Sequence, residues 1–337
     1  MNVELSPLSS WIVQLRHLTL STPLSWTKTL TALENMKQLE SLRIQTNPYD
    51  EEKSLPIPTP RHINLPCLRM LSLDGPLGDV MQVLSSIGGV SEECGLFLKL
   101  SGLTASTITS VEDSLGSCVS SFQHFCRVYA KESGPKSLFL WIDRHNVLFY
   151  DREDVVPSLG YRAEASSSES IVPLLPFLSR TIMTYPIMHT THLELILHLP
   201  SDSIPEELLK FLLAFVSLDT MKITDMATLR AISGLQREHN NLFPSLSTIK
   251  FDIWDKMNVP LIQEYLDQRR SIGALVKCLD LTSFTGSLYS VGDLTALEQF
   301  PGMRIIWPDE EKAADDDFIC RVYCVLHKTY KFMTSKA

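Results

Sequence analysis

The 337-residue chain has no excess of positive charge: 30 Lys and Arg stand against 39 Asp and Glu, a formal net charge of −9 with a pI near 5.5. A general nucleic-acid binder needs a basic surface to displace counterions from phosphate, so that class is excluded, and the same sign disfavours anionic membranes. Long apolar runs are missing too. The longest, IVPLLPFL at 171–178, carries two prolines and stops before Arg180, far short of the roughly 20 residues that a spanning helix needs. The opening MNVELSPLSSWIVQLRHL has no basic segment followed by an unbroken apolar stretch, so no secretory signal is read there. There is no Asn-x-Ser/Thr acceptor site, and the seven cysteines are an odd number scattered along the chain. Both fit a reducing compartment, and the expected location is cytoplasmic or nuclear.

Signatures of catalysis are equally scarce. No GxxxxGK[ST] phosphate loop, GxGxxG turn, HExxH or GxSxG elbow occurs. Two constellations come nearest to chemistry. Cys320, Cys324 and His327 share one stripe of a final helix, but three local ligands at that spacing match no common zinc module, and buried free cysteines behave as small hydrophobes. His189, His192 and His198 flank a strand on which His192, Glu194 and His198 share a face; they read as surface histidines. The acidic run 309–317 reads as a solvated turn with Asp315 to Asp317 at a helix start. The expectation is a non-enzyme without catalytic residues, cofactor or metal.

What is present is a rhythm. Leu15-x-x-Leu18-x-Leu20 returns as Leu39-x-x-Leu42-x-Ile44 and Leu68-x-x-Leu71-x-Leu73, and later around Met221, Ile249, Leu279 and Met303. Shorter copies holding only the final pair lie at 97–100, 139–142 and 192–195. The last apolar position falls at 20, 44, 73, 100, 142, 195, 223, 251, 281 and 305, and seven of the nine steps lie between 24 and 30. Leucine-rich repeats recur about every 20 to 29 residues, each giving a strand and a return segment. The return segments at 25–36, 77–87, 204–216, 226–239 and 258–270 have helical periodicity, and Pro205 with Glu206 and Glu207 suits a helix start. Such units cannot cover their own apolar side, so neighbours stack. The expected fold is an irregular, leucine-rich-repeat-like α/β solenoid. Parallel strands in chain order, from 15–20 to 302–306, form its concave side and all helices lie on the convex side.

One repeat domain is expected over 1–337, with a proline-rich variable loop at 46–66 and an irregular insertion at 101–190. Within the insertion, 110–134 reads as a long helix, 137–151 as a hairpin turning at Arg144 to Asn146, and 160–170 as a polar loop.

The stretch from Leu15 to Gln45, the loop that follows, and Leu65-Pro66-Cys67-Leu68-Arg69 through Gly75 resemble the C-terminal region of fungal, particularly basidiomycete, F-box proteins. The resemblance implies a substrate receptor of a cullin-RING ubiquitin ligase, whose F-box docks on the ligase adaptor while its repeats hold the target. No F-box helix precedes the first repeat, so the adaptor is not expected to bind. The segment 204–221 is similar to an F-box opening only superficially, and reads as an ordinary repeat helix.

A noncatalytic protein-binding module is therefore expected, taking a protein target and neither nucleic acid nor membrane. The residue between the two leucines of each copy points outward, giving Thr19, Arg43, Ser72, Lys99, Trp141, Glu194, Lys222, Lys250, Asp280 and Arg304. Five are basic. An acidic protein segment is the partner this stripe suggests, held by Arg43, Lys99, Lys222, Lys250 and Arg304 around an exposed Trp141 beside Lys99. The rival is a hydrolase or transferase on an open parallel sheet with a site in the 143–190 insertion, which a convergent constellation at the C-terminal strand ends would favour.

Overall fold

The computed structural model of the chain describes residues 12–21, 26–46, 63–90, 94–104, 135–151, 160–165, 187–199, 204–252, 258–283, 297 and 300–306. The helix read over 110–134, the acidic run, and Cys320, Cys324 and His327 lie outside the described residues.

The strands are β1 (His17–Ser21), β2 (Ser41–Gln45), β3 (Ile63–Leu65), β4 (Met70–Pro76), β5 (Ile87–Val90), β6 (Gly95–Leu103) and β7 (Ser137–Ile142). They continue as β8 (Asn146–Asp151), β9 (Gly160–Ala165), β10 (His192–Leu197), β11 (Thr220–Ile223), β12 (Thr248–Phe251), β13 (Cys278–Asp280) and β14 (Arg304–Ile306). Twelve form one sheet in the order β1-β2-β4-β6-β9-β8-β7-β10-β11-β12-β13-β14, while β3 and β5 pair in parallel in a separate ribbon. The molecule is mixed α/β with a large, mostly parallel sheet.

The helices between strands follow the periodicity closely: α1 (Trp26–Leu33), α2 (Leu77–Ser86), α3 (Glu206–Leu213), α4 (Met226–Glu238) and α5 (Val259–Ser271). Their starts are chemically marked. Asp225 accepts from the Thr228 amide at 2.7 Å ahead of α4, and Asn258 from the Leu261 amide at 3.1 Å ahead of α5. Pro205 precedes α3, whose first turn carries Glu206 and Glu207 where the helix dipole favours them. The segment 204–221 is therefore a helix leading into an inner strand of the sheet.

The two leucines of each copy point into one core. Leu20, Ile44, Leu73, Leu98, Tyr161, Phe149, Leu140, Leu195, Ile223 and Phe251 are successive register partners across ten strands. Leu30 and Leu33 of α1, Val83 of α2, Phe211 of α3, Ile232 of α4 and Tyr265 of α5 belong to the same buried cluster. The described helices thus cover the leucine face, and each such side chain removed from water contributes about 1.5 to 3 kcal/mol.

The expected strand order, loop extents and register need correction. Strand order is not chain order throughout. β8 is antiparallel to both β7 and β9, and the insertion lies in the sheet reversed, so that β6 neighbours β9 and β10 neighbours β7. The cause is the hairpin, which is read correctly. Asp143 Oδ1 accepts from the amides of His145 and Asn146 at 2.7 and 2.8 Å, closing a tight Asx turn that sends the chain back.

Residues 160–165, expected in a loop, form β9 near the middle of the sheet. Tyr161 and Ala163 supply its buried face, and Arg162 pairs with Glu164 on the other. The end of the proline-rich loop, 63–65, is strand β3.

Register also shifts three copies by two residues. Leu73 pairs with Leu98 rather than Leu100, and Leu195 with Leu140 rather than Ile142. Ile305 likewise pairs with Leu279, not Leu281. A slip of two preserves the face and moves the row.

Candidate binding face

Opposite the helices, alternate residues of each strand point outward. One row runs Thr19, Arg43, Ser72, Phe97, Gly160, Tyr150, Phe139, Glu194, Lys222, Lys250, Asp280. The next runs Ser21, Gln45, Asp74, Lys99, Arg162, Leu148, Trp141, Ile196. All six residues proposed for partner binding do lie on outward positions of their strands, but in three rows. Arg304 sits beside Cys278, one row back from Lys250.

Lys99 and Trp141 are not adjacent. Arg162 and Leu148 separate them across β9 and β8, so three strand spacings, about 14 Å, lie between. Trp141 is also half-buried rather than exposed, with its indole Nε1 shielded and without a hydrogen-bond partner among the described residues.

The expected cationic stripe is largely occupied by the chain's own carboxylates. Lys99 Nζ lies 3.3 Å from Asp74 Oδ2, and Lys250 Nζ 3.3 Å from Asp280 Oδ2. Lys222 Nζ stands between Asp252 at 2.6 Å and Glu194 at 3.7 Å. Asp280 also accepts from the Thr282 hydroxyl at 2.6 Å. Burial raises its pKa, but the bonds from Thr282 and Lys250 outweigh that and hold it below the usual carboxylate value. Among the described residues, Arg43 and Arg304 make no ion pair.

What the sequence reading missed is apolar. Phe97, Tyr150, Leu148 and Trp141 are half-buried on the outward face, in the same two rows as Phe139 and Ile196, which are 3% and 7% exposed. Phe139 and Tyr150 stack with centroids 4.6 Å apart and planes at 21°. Gly160 lets this surface continue across β9, because a Cβ there would meet the Phe97 ring, coming within 2.9 Å of Cε2. A signal existed: residues 139, 141, 148 and 150 alternate along the two arms of the hairpin that the sequence already indicates, which puts them on one face.

At the C-terminal strand ends, His198 gathers charge. Its amide donates to the Ile142 carbonyl at 2.8 Å, and its Nε2 lies 3.0 Å from Asp225 Oδ2. Thr228 Oγ1 donates to Asp225 at 3.0 Å and accepts from the Leu197 amide at 2.8 Å, which ties β10 to the start of α4. The bond to Asp225 raises the His198 pKa above its ordinary value, burial opposes this, and the charges of Asp225 and Asp143 add to the rise. For Asp225 burial pushes upward, and the bonds from His198 and Thr228 bring the net value below normal. His189 and His192 are exposed and take no part.

The described residues hold no group of three or more His, Cys, Asp or Glu side chains placed to bind a metal. No described helix is long and apolar enough to cross a membrane. A shallow crevice between the sheet and α2, lined by Ile44, Thr46, Leu73, Asp74, Val80 and Val83, encloses no space even for a water molecule, let alone a substrate-sized ligand. Comparison with known proteins finds no matching family model, no matching curated protein and no matching solved structure.

Proposed function

We propose that the chain is an irregular leucine-rich-repeat-like solenoid working as a noncatalytic protein-binding module, similar in kind to the target-binding region of a fungal F-box substrate receptor. Parallel strands at a near-regular step, most of whose L-x-L pairs lie in one core with the described helices, support the architecture. The observation that carries the function is the aromatic and aliphatic cluster at the centre of the outward face, ringed by ion pairs that the chain satisfies internally. A dry apolar centre with a polar rim is the anatomy of a protein interface. The protein acts in the cytoplasm or nucleus and needs no cofactor.

A hydrolase or transferase with its site in the 143–190 insertion is favoured by one observation, the meeting of Asp143, His198 and Asp225 at the strand ends. Both carboxylates there already serve folding: Asp143 closes the hairpin turn and Asp225 caps α4.

The deciding experiment is affinity capture from cell extract with the parent chain, Trp141→Ala and Lys222→Glu, each verified as folded. Loss of specific partners with Trp141→Ala is the expected result. Retention of every partner by both variants contradicts a site on this face.

A further inference from the structure

The chemistry of the contact can be taken further, on the footing that the outward face is the docking surface. We propose that the partner segment is uncharged where it meets this face: an extended protein segment seating an aromatic or branched aliphatic side chain on Trp141, Leu148 and Tyr150, and not an acidic segment held by the lysines.

The ion pairs argue against the acidic partner. Lys99, Lys222 and Lys250 each have a carboxylate already in place on a neighbouring strand or at its end. An incoming carboxylate would displace one of these, so one lysine-carboxylate contact replaces another. The displaced group, partly buried in the sheet face, is then left desolvated, and that costs more than an exposed pair returns.

Arg43 and Arg304 make no ion pair among the described residues, but they stand on β2 and β14, ten strand positions apart in the sheet. No short acidic segment resting on the central cluster reaches both. Summed over the cluster's immediate rim, Lys99 with Asp74, Arg162 with Glu164, and Lys222 with Asp252 and Glu194 leave no positive excess.

The cluster argues for the apolar partner. Its surface is continuous because Gly160 carries no side chain, and the Phe97 ring lies across that position towards Tyr150. Tyr150 is fixed by its stack on Phe139, and Leu148 sits directly across from Trp141. Rigid aromatic groups lose little rotamer freedom on binding, which makes them efficient anchors. Among the described residues the rim's cations are already ion-paired, which opposes an acidic side chain there.

The test is selection of a random 12-residue peptide library displayed on phage against the full chain, with selected peptides then synthesised. The expected peptides are rich in aromatic and aliphatic residues. They lose at least about tenfold in affinity with Leu148→Ser or Tyr150→Ser, and change less than about twofold between 50 and 500 mM salt, where surface charge pairs would be screened. Both variants alter partly exposed side chains and are checked by circular dichroism and unfolding midpoint. Peptides that depend on this face but are rich in Asp and Glu, weaken more than about tenfold over that salt range and fail on Lys222→Gln overturn the inference, leaving the docking reading intact. If no selected peptide is affected by Leu148→Ser, Tyr150→Ser or Trp141→Ala, the docking reading falls as well.

Discussion

Arg269 is a fully buried cation with no carboxylate partner among the described residues. It leaves α5 and donates to Gln236 Oε1 at 3.2 Å and to the carbonyls of Leu242 and Leu246 at 2.9 and 3.1 Å. These carbonyls belong to the tight connection between α4 and β12, where Phe243 is held at φ 49°, an unfavourable left-handed conformation for a bulky residue. The guanidinium supplies hydrogen bonds that a buried irregular segment cannot find in a ladder. Replacing Arg269 with Met keeps the stem and orphans those acceptors. Urea unfolding should show a loss of about 3 kcal/mol, since each unsatisfied buried group costs about 1 to 3 kcal/mol. A loss below about 0.5 kcal/mol would mean that water or another donor replaces the guanidinium.

His198 carries a pH signature of definite sign. A histidine whose folded pKa is raised above its ordinary 6.5 stabilises the fold below that value, and the contribution disappears as pH rises through the folded pKa. Its side chain is 44% exposed, so screening limits the effect to about 0.5 kcal/mol. The parent should be more stable than His198→Gln at about pH 5.5, and the difference should shrink towards pH 9. Thermal melts of the two proteins across that range check it, because all other histidines cancel. For Asp225 the order is opposite: its lowered pKa stabilises above the ordinary 3.8, and that stability is lost as pH falls through the folded value.

At the scale of elements, the inserted strands β7, β8 and β9 decide what the outward face presents. Gly160 and Phe97 form the joint between this insertion and β6. Gly160→Ala should cost about 1 to 3 kcal/mol by forcing the Phe97 ring aside, and the same change in a Phe97→Ala background should cost clearly less. A double-mutant cycle by chemical denaturation measures the coupling; strictly additive costs would show that the ring is not what Gly160 accommodates. The two outer arrays of strands and helices were legible in the sequence because L-x-L pairs and helical periodicity alternate without interruption there. The hairpin was legible from its apolar alternation and from Asp143 and Asn146 at the turn. β9 was not, because only Tyr161 and Ala163 face inward while Arg162 and Glu164 satisfy each other, so the stretch looks like polar loop. The two-residue slips have a different origin. Leu96, Leu98 and Leu100 form an unbroken alternation, as do Leu138, Leu140 and Ile142, so each offers two equally good matches to the repeat. Pairing partners alone distinguish them, and those are not local.

For the whole molecule, the consequence of those slips reaches the candidate site. Outward residue types were read correctly, while their neighbours were not, and binding is a property of neighbours. A stripe that looked cationic position by position is ion-paired: the slip sets Lys99 beside Asp74, while Lys222 beside Glu194 and Lys250 beside Asp280 are neighbours that chain order already implied. The apolar centre emerges only when the reversed insertion brings Phe97 of β6 within two strands of Tyr150. The claim that this centre, and not the cationic stripe, is the contact surface is tested most directly by isothermal calorimetry of one bound partner peptide against single alanine variants of Trp141, Tyr150, Lys222 and Arg304. Trp141→Ala and Tyr150→Ala should each weaken binding by about 2 kcal/mol, while Lys222→Ala and Arg304→Ala should change it by less than about 0.5 kcal/mol. The reverse ranking, with the lysine and arginine dominant and the aromatic variants neutral, would contradict the account.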